Sequence, residues 1–228
     1  MLYNEMVFGA LVVVIALSLY LAERMGHCTL VALVVLYSVI ANLFVCKTIA
    51  LFGFVATASD AYAVGISVGY NMIQEGSGAR AARIALYSAL LISICFIAIS
   101  MLHLLFVPAP SDWAQPHFLA LLMPQPRILF ASLFTYYIVQ NVDITLFGKI
   151  KRQFPTLPFG LRSGLSTGIV QLVDTIMFSI LGLWGIVSPL TSVIIISWGI
   201  KMCVIVLGIP LLGFIRTHFG NAARGKQL

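Results

Sequence analysis

Long apolar stretches recur along the whole chain, separated by short polar segments. Five of them contain no charged residue: 6–22, 28–46, 84–102, 128–142 and 202–215. Each is close to the roughly 20 residues that an α-helix needs to cross the hydrocarbon core of a bilayer. The pattern predicts an all-α, polytopic integral membrane protein.

Seven membrane-spanning helices are predicted once the less apolar segments between these stretches are included. We place them, in a single transmembrane domain that covers 1–228, at 6–22, 28–46, 57–75, 82–106, 127–147, 163–184 and 189–215. The third span is rich in small residues, so we expect it to be buried among its neighbours. Segment 107–126 is predicted to be an external loop, and 216–228 a cytoplasmic tail.

The distribution of basic residues predicts the orientation in the membrane. Charged residues make up 9% of the chain and hydrophobic residues 61%, which excludes a soluble globular domain. Lys47 and Arg127 are the basic residues on one side, and Lys201 falls inside the last span. Ten others lie on the opposite side: Arg24, Arg80, Arg83, Lys149, Lys151, Arg152, Arg162, Arg216, Arg224 and Lys226. The positive-inside rule makes that side cytoplasmic, which puts the N-terminus outside and the C-terminus inside a cell inner membrane.

A short internal repeat carries most of the candidate chemistry. The segment Ile-Val-Gln-Asn-Val-Asp at 138–143 recurs as Ile-Val-Gln-Leu-Val-Asp at 169–174, which is 31 residues further on. At the same offset Ser132 matches Ser163, and Thr135 matches Ser166. Because the fifth and sixth spans run in opposite directions, the repeat suggests a local pseudo-two-fold axis in the membrane plane.

The repeated polar stripes predict a binding cavity between these two spans. Gln140 and Asp143, like Gln171 and Asp174, are three residues apart and share one helix face. A carboxylate in the bilayer interior costs a few kcal/mol or more unless it is paired or hydrated, so the stripes should face each other. Two carboxylates and two carboxamides suit either a cation or a neutral heterocycle with adjacent N–H donors. The simpler alternative is that these polar groups only hold helices together.

Other kinds of chemistry have little support in the sequence. None of the four cysteines has a second ligand-type residue at metal spacing, so we expect no metal or cofactor. Gly164-Leu-Ser166-Thr-Gly168 fits the serine-hydrolase pattern G-x-S-x-G, but His103 falls near the opposite membrane face, so we do not expect an enzyme. No phosphate-binding loop is present, so any use of ATP would require a partner.

Several short motifs resemble the queuosine precursor transporter family. They are Ala41-Asn42-Leu43-Phe44 with Lys47, Phe52-Gly53, Asn71 to Glu75 followed by Gly78 and Ala82-Arg83, Gln140 with Asp143, Leu161-Arg162 with Ser166-Thr167, and Gln171 with Asp174-Thr175. The resemblance runs from about residue 1 to residue 215 and is most specific over 130–180. It implies a membrane importer of 7-deazaguanine bases, namely the cyano and aminomethyl precursors or queuine itself, which feed tRNA modification.

The resemblance also implies which residues form the site. Asn42, Glu75, Gln140, Asp143, Arg162, Ser166, Gln171 and Asp174 fall on the family's motif positions. We expect Asp143 and Asp174 to recognise the N–H edge of the base, Gln140 and Gln171 its carbonyl and neighbouring polar atoms, and Asn71 the region beyond, with Ser166 and Asn42 also in the site. Apart from the resemblance, Glu75 is expected either to lie in a solvated cytoplasmic turn or to pair with Arg162 or Arg83 as an inner gate. Lys201 is expected to pair with one of the aspartates Asp60, Asp143 or Asp174.

One segment departs from the family pattern, and two other transport schemes stay open. Tyr70-Asn71 stands where the family has Thr-Asp, within a glycine-rich stretch at 65–71. The change suggests either a larger or less basic ligand, such as queuine, or a purely structural difference. A proton- or cation-coupled carrier of an unrelated solute would use the same aspartates, and a substrate-binding subunit of a larger ATP-driven importer is the other alternative. The expected partners are a 7-deazaguanine and membrane lipid, with no nucleic acid; a homo-oligomer stays open.

Overall fold

The protein is a bundle of long α-helices with one small β-hairpin. The computed structural model describes residues 2–45, 47–123, 126–185 and 190–224. In chain order the elements are α1 (Leu2–Met25), α2 (His27–Phe44), β1 (Thr48–Leu51), β2 (Phe54–Thr57), α3 (Asp60–His103), α4 (Gln115–Leu122), α5 (Pro126–Gln153), α6 (Phe159–Phe178), a π-helical turn (Ser179–Leu183) and α7 (Leu190–Arg224).

Several of these helices are long and apolar enough to cross a membrane. Five such helices occur among the described residues: Tyr3–Met25, His27–Phe44, Asp60–His103, Phe159–Leu183 and Leu190–Gly213. The prediction of an all-α polytopic membrane protein is therefore confirmed. The total of seven crossings stays a prediction.

Helix α3 turns back on itself at Gly78. A straight helix of 44 residues would be about 66 Å long, twice the thickness of a hydrocarbon core. Gly78 has φ 85° and ψ 168°, which is a conformation that favours glycine and breaks the helix. The predicted loop between 75 and 82 is therefore wrong, because this single break replaces it.

The two halves of α3 run in opposite directions along α2. In the first half, Gly65 approaches Tyr37 of α2 and Gly69 approaches Val34, so residue numbers rise in one helix as they fall in the other. In the second half, Ser100 shares a small cavity with Asn42 at the far end of α2. The segment 79–103 thus returns beside α2, which is compatible with two membrane crossings.

A β-hairpin lies between α2 and α3, just before the predicted third span, and includes only the first residue of that span, Thr57. Its strands pair in antiparallel register, with Thr48 opposite Thr57. Phe52 and Gly53 form the turn with φ values of 51° and 82°, the positive angles of a two-residue type I′ hairpin. Glu5 accepts a hydrogen bond from the Phe52 backbone N–H at 2.9 Å, which ties the hairpin to the start of α1.

Other boundaries also differ from the predicted spans, because helices continue beyond the apolar residues that enter the membrane. The segment 107–126, which the sequence predicts to be an external loop, contains α4, and α6 begins at Phe159 rather than at 163. Helix α7 extends to Arg224, so the described part of the predicted tail is helical. Cys46 and the segment 225–228 lie outside the described residues.

The first half of α3 is the centre of the bundle. Nearly all of its residues from Ala61 to Gln74 are buried, and α1, α2, α5, α6 and α7 pack around it. Small residues permit this close packing. Gly65 and Gly69 face α1 and α2, where an added Cβ would lie 2.7 Å from Ile15 Cγ2 and 2.5 Å from Val34 Cγ2 respectively.

Replacing Gly69 with alanine should destabilise the bundle by about 1–3 kcal/mol, because the added methyl group overpacks the contact with the rigid Val34 side chain. Gly76→Ala is the matched control, since Gly76 lies in the same helix with nothing within 4 Å of an added Cβ. Thermal unfolding of the purified protein in detergent measures both. Equal melting temperatures for the two variants would contradict the close approach of α3 to α2.

Candidate functional site

A line of buried polar residues follows one face of the first half of α3. Asp60, Ser67, Asn71 and Gln74 are each at most 5% exposed. Their spacing of seven, four and three residues keeps them on one helix face, and the line with Glu75 extends over about 22 Å. Polar side chains of α5, α6 and α7 meet this face, so a polar column passes through most of the bundle.

Ser67 joins the two glutamines of the internal repeat at the middle of this column. Gln140 Nε2 donates a hydrogen bond to Ser67 Oγ at 3.2 Å, and Gln171 Nε2 donates to the same oxygen at 3.1 Å. Gln171 Nε2 also donates to the backbone carbonyl of Ala63 at 3.2 Å. The two stripes that the sequence places on α5 and α6 therefore converge on α3.

Asp143 lies one helical turn from Gln140 and is fully buried. Ser166 Oγ donates a hydrogen bond to Asp143 Oδ1 at 2.5 Å. Asn71 Nδ2 lies nearby and donates to Ser163 Oγ at 3.1 Å and to Thr167 Oγ1 at 3.2 Å. No ion pair of Asp143 occurs in the part of the chain that the structure describes.

The surroundings of Asp143 are rich in hydrogen-bond acceptors that have no donor. Four buried oxygens have no hydrogen-bond partner of good geometry within the described residues, although Ser67 and Asn71 lie beside the Asp143 carboxylate: Asn71 Oδ1, Gln140 Oε1, Asp143 Oδ2 and Gln171 Oε1. Leaving such a group unsatisfied costs roughly 1–3 kcal/mol. The arrangement is therefore suited to a bound molecule that offers several N–H or O–H donors at once. We call Asn71, Gln140, Asp143 and Gln171 the acceptor cluster.

Asp174 belongs to a different cluster. The sequence analysis predicted that it faces Asp143 across a shared cavity, and the structure does not show this. Lys201 Nζ lies 2.5 Å from Asp174 Oδ2 and 3.9 Å from Asp60 Oδ1, and it donates to Thr175 Oγ1 at 3.1 Å. Ser166, the partner of Asp143, is eight residues before Asp174 on α6, a separation of about 12 Å. The lysine on α7 compensates the charge of Asp174. Asp143 is then a buried carboxylate that has no ion pair within the described part of the chain.

Glu75 joins three helices at the end of the column that we predict to be cytoplasmic. Its carboxylate lies 2.8 Å from Arg162 Nη2 and 3.1 Å from Lys151 Nζ. Arg162 is therefore the observed partner among the two that the sequence left open. Lys151 was used only to predict orientation, because a basic residue in the last turn of a helix is common.

Asn42 lies apart from the acceptor cluster. Ser132 Oγ donates to Asn42 Oδ1 at 2.6 Å, and the Asn42 side chain donates to its own helix at Ser38. The nearby Tyr136 hydroxyl bonds to Ser38 at 2.8 Å and to the Tyr70 hydroxyl at 2.6 Å. Tyr70 is thus a buried link between helices rather than a member of the acceptor cluster.

Three residues of the site were not predicted to belong to it: Ser67, Ser163, which the sequence placed only in the repeat, and Thr167, which it placed only in a family motif. All are fully buried, and each accepts a hydrogen bond from a side-chain amide of the acceptor cluster. Small hydroxyl residues are common in membrane helices, so composition alone does not mark them. The glycine-rich segment 65–71 does not enlarge the site, because Gly65 and Gly69 point at α1 and α2.

Comparison with known protein families identifies the kind of protein to which this site belongs. The model of the family described as "Putative vitamin uptake transporter" matches residues 61–215. This chain belongs to that family. The match covers α3 from its second residue, together with α5 and α6, and so contains every residue of the acceptor cluster.

A bacterial relative supports the assignment to this family. The chain is 31% identical over 178 residues to a protein of Bacillus subtilis (strain 168) that is named "Probable queuosine precursor transporter". The alignment covers 76% of this chain and 77% of the relative, and it confirms the family resemblance seen in the sequence. No solved structure matches the chain.

Replacing Lys201 with methionine should destabilise the protein by about 3–5 kcal/mol, because Asp174 and Asp60 lose their buried counter-charge. Adding Asp174→Asn to Lys201→Met should recover part of this loss. Lys149→Met, which removes the same charge from an exposed position on α5, is the control. Melting temperature and detergent-extracted yield report the effect; equal values for Lys201→Met and the control would show that the ion pair is unimportant for stability.

Proposed function

We propose that this protein imports a queuosine precursor, a 7-deazaguanine base, across the cell inner membrane for tRNA modification. The name of the Bacillus subtilis relative and the match to an uptake-transporter family support the substrate class. The distribution of basic residues supports an orientation with the N-terminus outside and the C-terminus in the cytoplasm.

The observation that carries this proposal is the excess of unpaired acceptors around a carboxylate that lacks a cation. A 7-deazaguanine base presents a ring N–H and an exocyclic amine side by side, and its carbonyl accepts a hydrogen bond. A carboxylate accepts from two such adjacent donors, as acidic side chains do in reading base edges. Asp143 thus fits the donor edge of the base better than Asp174, whose Oδ2 is already paired with Lys201.

The amide side chains complete the recognition of the base in this proposal. Gln140 and Gln171 supply acceptors through their free Oε1 atoms, and Asn71 supplies a third through Oδ1. Their amide nitrogens now bond to Ser67, Ser163 and Thr167 within the protein. When a base enters, one of these nitrogens is released to donate to the carbonyl of the base. Asp174 and Lys201 have a supporting role, and Asn42 joins α2 to α5.

Asp143→Asn should abolish uptake, since an amide at this position cannot accept from both donors of the base and adds an N–H that repels them. The measurement uses bacteria that make no 7-deazaguanine and lack an importer of their own. The cyano base, the aminomethyl base and queuine are supplied separately at limiting concentration, and the queuosine content of tRNA is measured. We expect the wild-type chain to restore the modification with at least one base, and Asp143→Asn to lower it at least tenfold.

Asp112→Asn provides the matched control, because it removes the same charge from an exposed segment outside the bundle. Both variants are compared at equal expression. Failure of all three bases with the wild-type chain would overturn the proposed substrate and leave an unrelated solute as the cargo. Full uptake by Asp143→Asn would instead overturn the assignment of the site.

We also propose that Glu75, Arg162 and Lys151 close the cytoplasmic end of the column as an inner gate. Glu75→Gln should favour opening, because ion pairs at a partly exposed site contribute roughly 1 kcal/mol, or about fivefold in the equilibrium. A cysteine introduced as Ser163→Cys, in a background without the natural cysteines, should then react about fivefold faster with a membrane-impermeant thiol reagent in inverted vesicles. Arg83→Gln is the control, and equal rates in all backgrounds would exclude a gate here.

A further inference from the structure

Two helix pairs of the bundle make equivalent serine–asparagine contacts, in which the serine donates in one pair and the asparagine in the other. The sequence Ser38-x-x-x-Asn42 on α2 recurs as Ser67-x-x-x-Asn71 on α3. Asn42 bonds to Ser132 on α5 at 2.6 Å, and Asn71 bonds to Ser163 on α6 at 3.1 Å. Ser132 and Ser163 are themselves equivalent positions of the internal repeat, so the correspondence extends from one helix pair to two.

The equivalent helices run in opposite directions, as an inverted repeat requires. The first half of α3 is antiparallel to α2, because Gly69 approaches Val34 and Gly65 approaches Tyr37. Helix α6 is antiparallel to α5, because Asp143 bonds to Ser166 while Ala131 lies against Gly182. Inverted repeats in transporters allow the two halves to exchange conformations and so open the central site to each side in turn.

One contact of the repeat is formed in this structure, and its equivalent is absent. Ser166 donates to Asp143, whereas the equivalent pair would be Thr135 and Asp174. Thr135 is 1% exposed, and its Oγ1 has no hydrogen-bond partner. Asp174 is held by Lys201 at 2.5 Å instead. A buried hydroxyl without a partner costs roughly 1–3 kcal/mol, so its retention calls for another state in which it is bonded.

The register of the two helices puts Thr135 beside the turn that begins at Asp174. Asp143 lies opposite Ser166 at one end of the contact, and Ala131 lies opposite Gly182 at the other. Interpolation between these two contacts brings Thr135 level with residues 174–178 of α6. The two side chains therefore lie at a similar level of the bundle, and a rotation of α5 or α6 about its axis would bring the hydroxyl to the carboxylate.

We propose that Thr135 is a positioning residue for transport, which donates to Asp174 in the oppositely open conformation. Lys201 then moves to Asp60, whose Oδ1 is already 3.9 Å away, and Ser166 releases Asp143. The hydroxyl contact thus passes from Asp143 to Asp174 as the site opens to the other side. This inference rests on the proposed transport function, but it does not depend on which base is carried.

Thr135→Val tests the proposal because it removes the hydroxyl and keeps the shape of the side chain. With the base that restores tRNA modification, the maximal uptake rate should fall about tenfold, which corresponds to about 1.4 kcal/mol. Equilibrium binding of that base to the purified protein should change less than about twofold, because Thr135 has no contact with the acceptor cluster in this state. Thr135→Ser should retain uptake.

Thr145→Val is the matched control, since this threonine of α5 is exposed and donates to its own helix at Asn141. The double variant Thr135→Val with Asp174→Asn should take up no less base than Asp174→Asn alone. In the double variant Thr145→Val with Asp174→Asn, the effects of the two substitutions should add. Wild-type uptake by Thr135→Val, or additive effects of Thr135→Val and Asp174→Asn, would overturn the proposal. If the wild-type chain carries none of the three bases, the proposed function fails, and the contact is then judged by cross-linking.

Cross-linking needs no substrate and so separates the two failures. In a background without the natural cysteines, Thr135→Cys with Asp174→Cys should form a disulfide in membranes under mild oxidation, because the two positions meet in one of the two conformations. Asp143→Cys with Ser166→Cys should form one as well, and Thr145→Cys with Asp174→Cys should not. Absence of the first disulfide when the second forms would overturn the proposal whatever the protein carries.

Discussion

The hydrogen bonds that Ser67 accepts from Gln140 and Gln171 hold the centre of this protein together. They attach α5 and α6 to the first half of α3, which is the most deeply buried segment of the bundle. Polar side chains inside a bundle of membrane-spanning helices need partners within the protein, because lipid offers none. Because the side chain of Ser67 is short, α5 and α6 must both approach α3 closely to bond to it, and this also brings them close to each other.

Charge is distributed unequally around this centre. The carboxylate of Asp174 has Lys201 beside it, and the carboxylate of Asp143 has a serine hydroxyl. A buried ion pair stabilises little in itself, but an unpaired buried carboxylate is costly, which makes Asp143 the group with most to gain from a ligand. The same inequality leaves Thr135 without a partner. We therefore attribute both substrate recognition and conformational exchange to one departure from the symmetry of the repeat, namely that Lys201 pairs with Asp174 while Asp143 has no cation in the described part of the structure.

Close packing limits where a ligand can be accommodated. Gly65 and Gly69 bring α1 and α2 into contact with the face of α3 that carries these glycines. Tyr70 is buried as well, and its hydroxyl bonds to that of Tyr136. The polar face of the same helix is the side on which acceptors are unpaired. One helix thus provides tight packing on one face and binding groups on the other, so substitutions on its two faces should have different effects.

The sequence by itself determined the class of the protein, because hydrophobic stretches of membrane-spanning length need no knowledge of packing. It also determined the family and the repeated Gln and Asp positions, since these depend on local spacing. Only the tertiary structure decided that Gly78 reverses α3, that a hairpin precedes it, and that Lys201 on α7 neutralises Asp174. Those outcomes depend on which helix faces meet, and a single helix sequence carries several polar faces that different neighbours can satisfy.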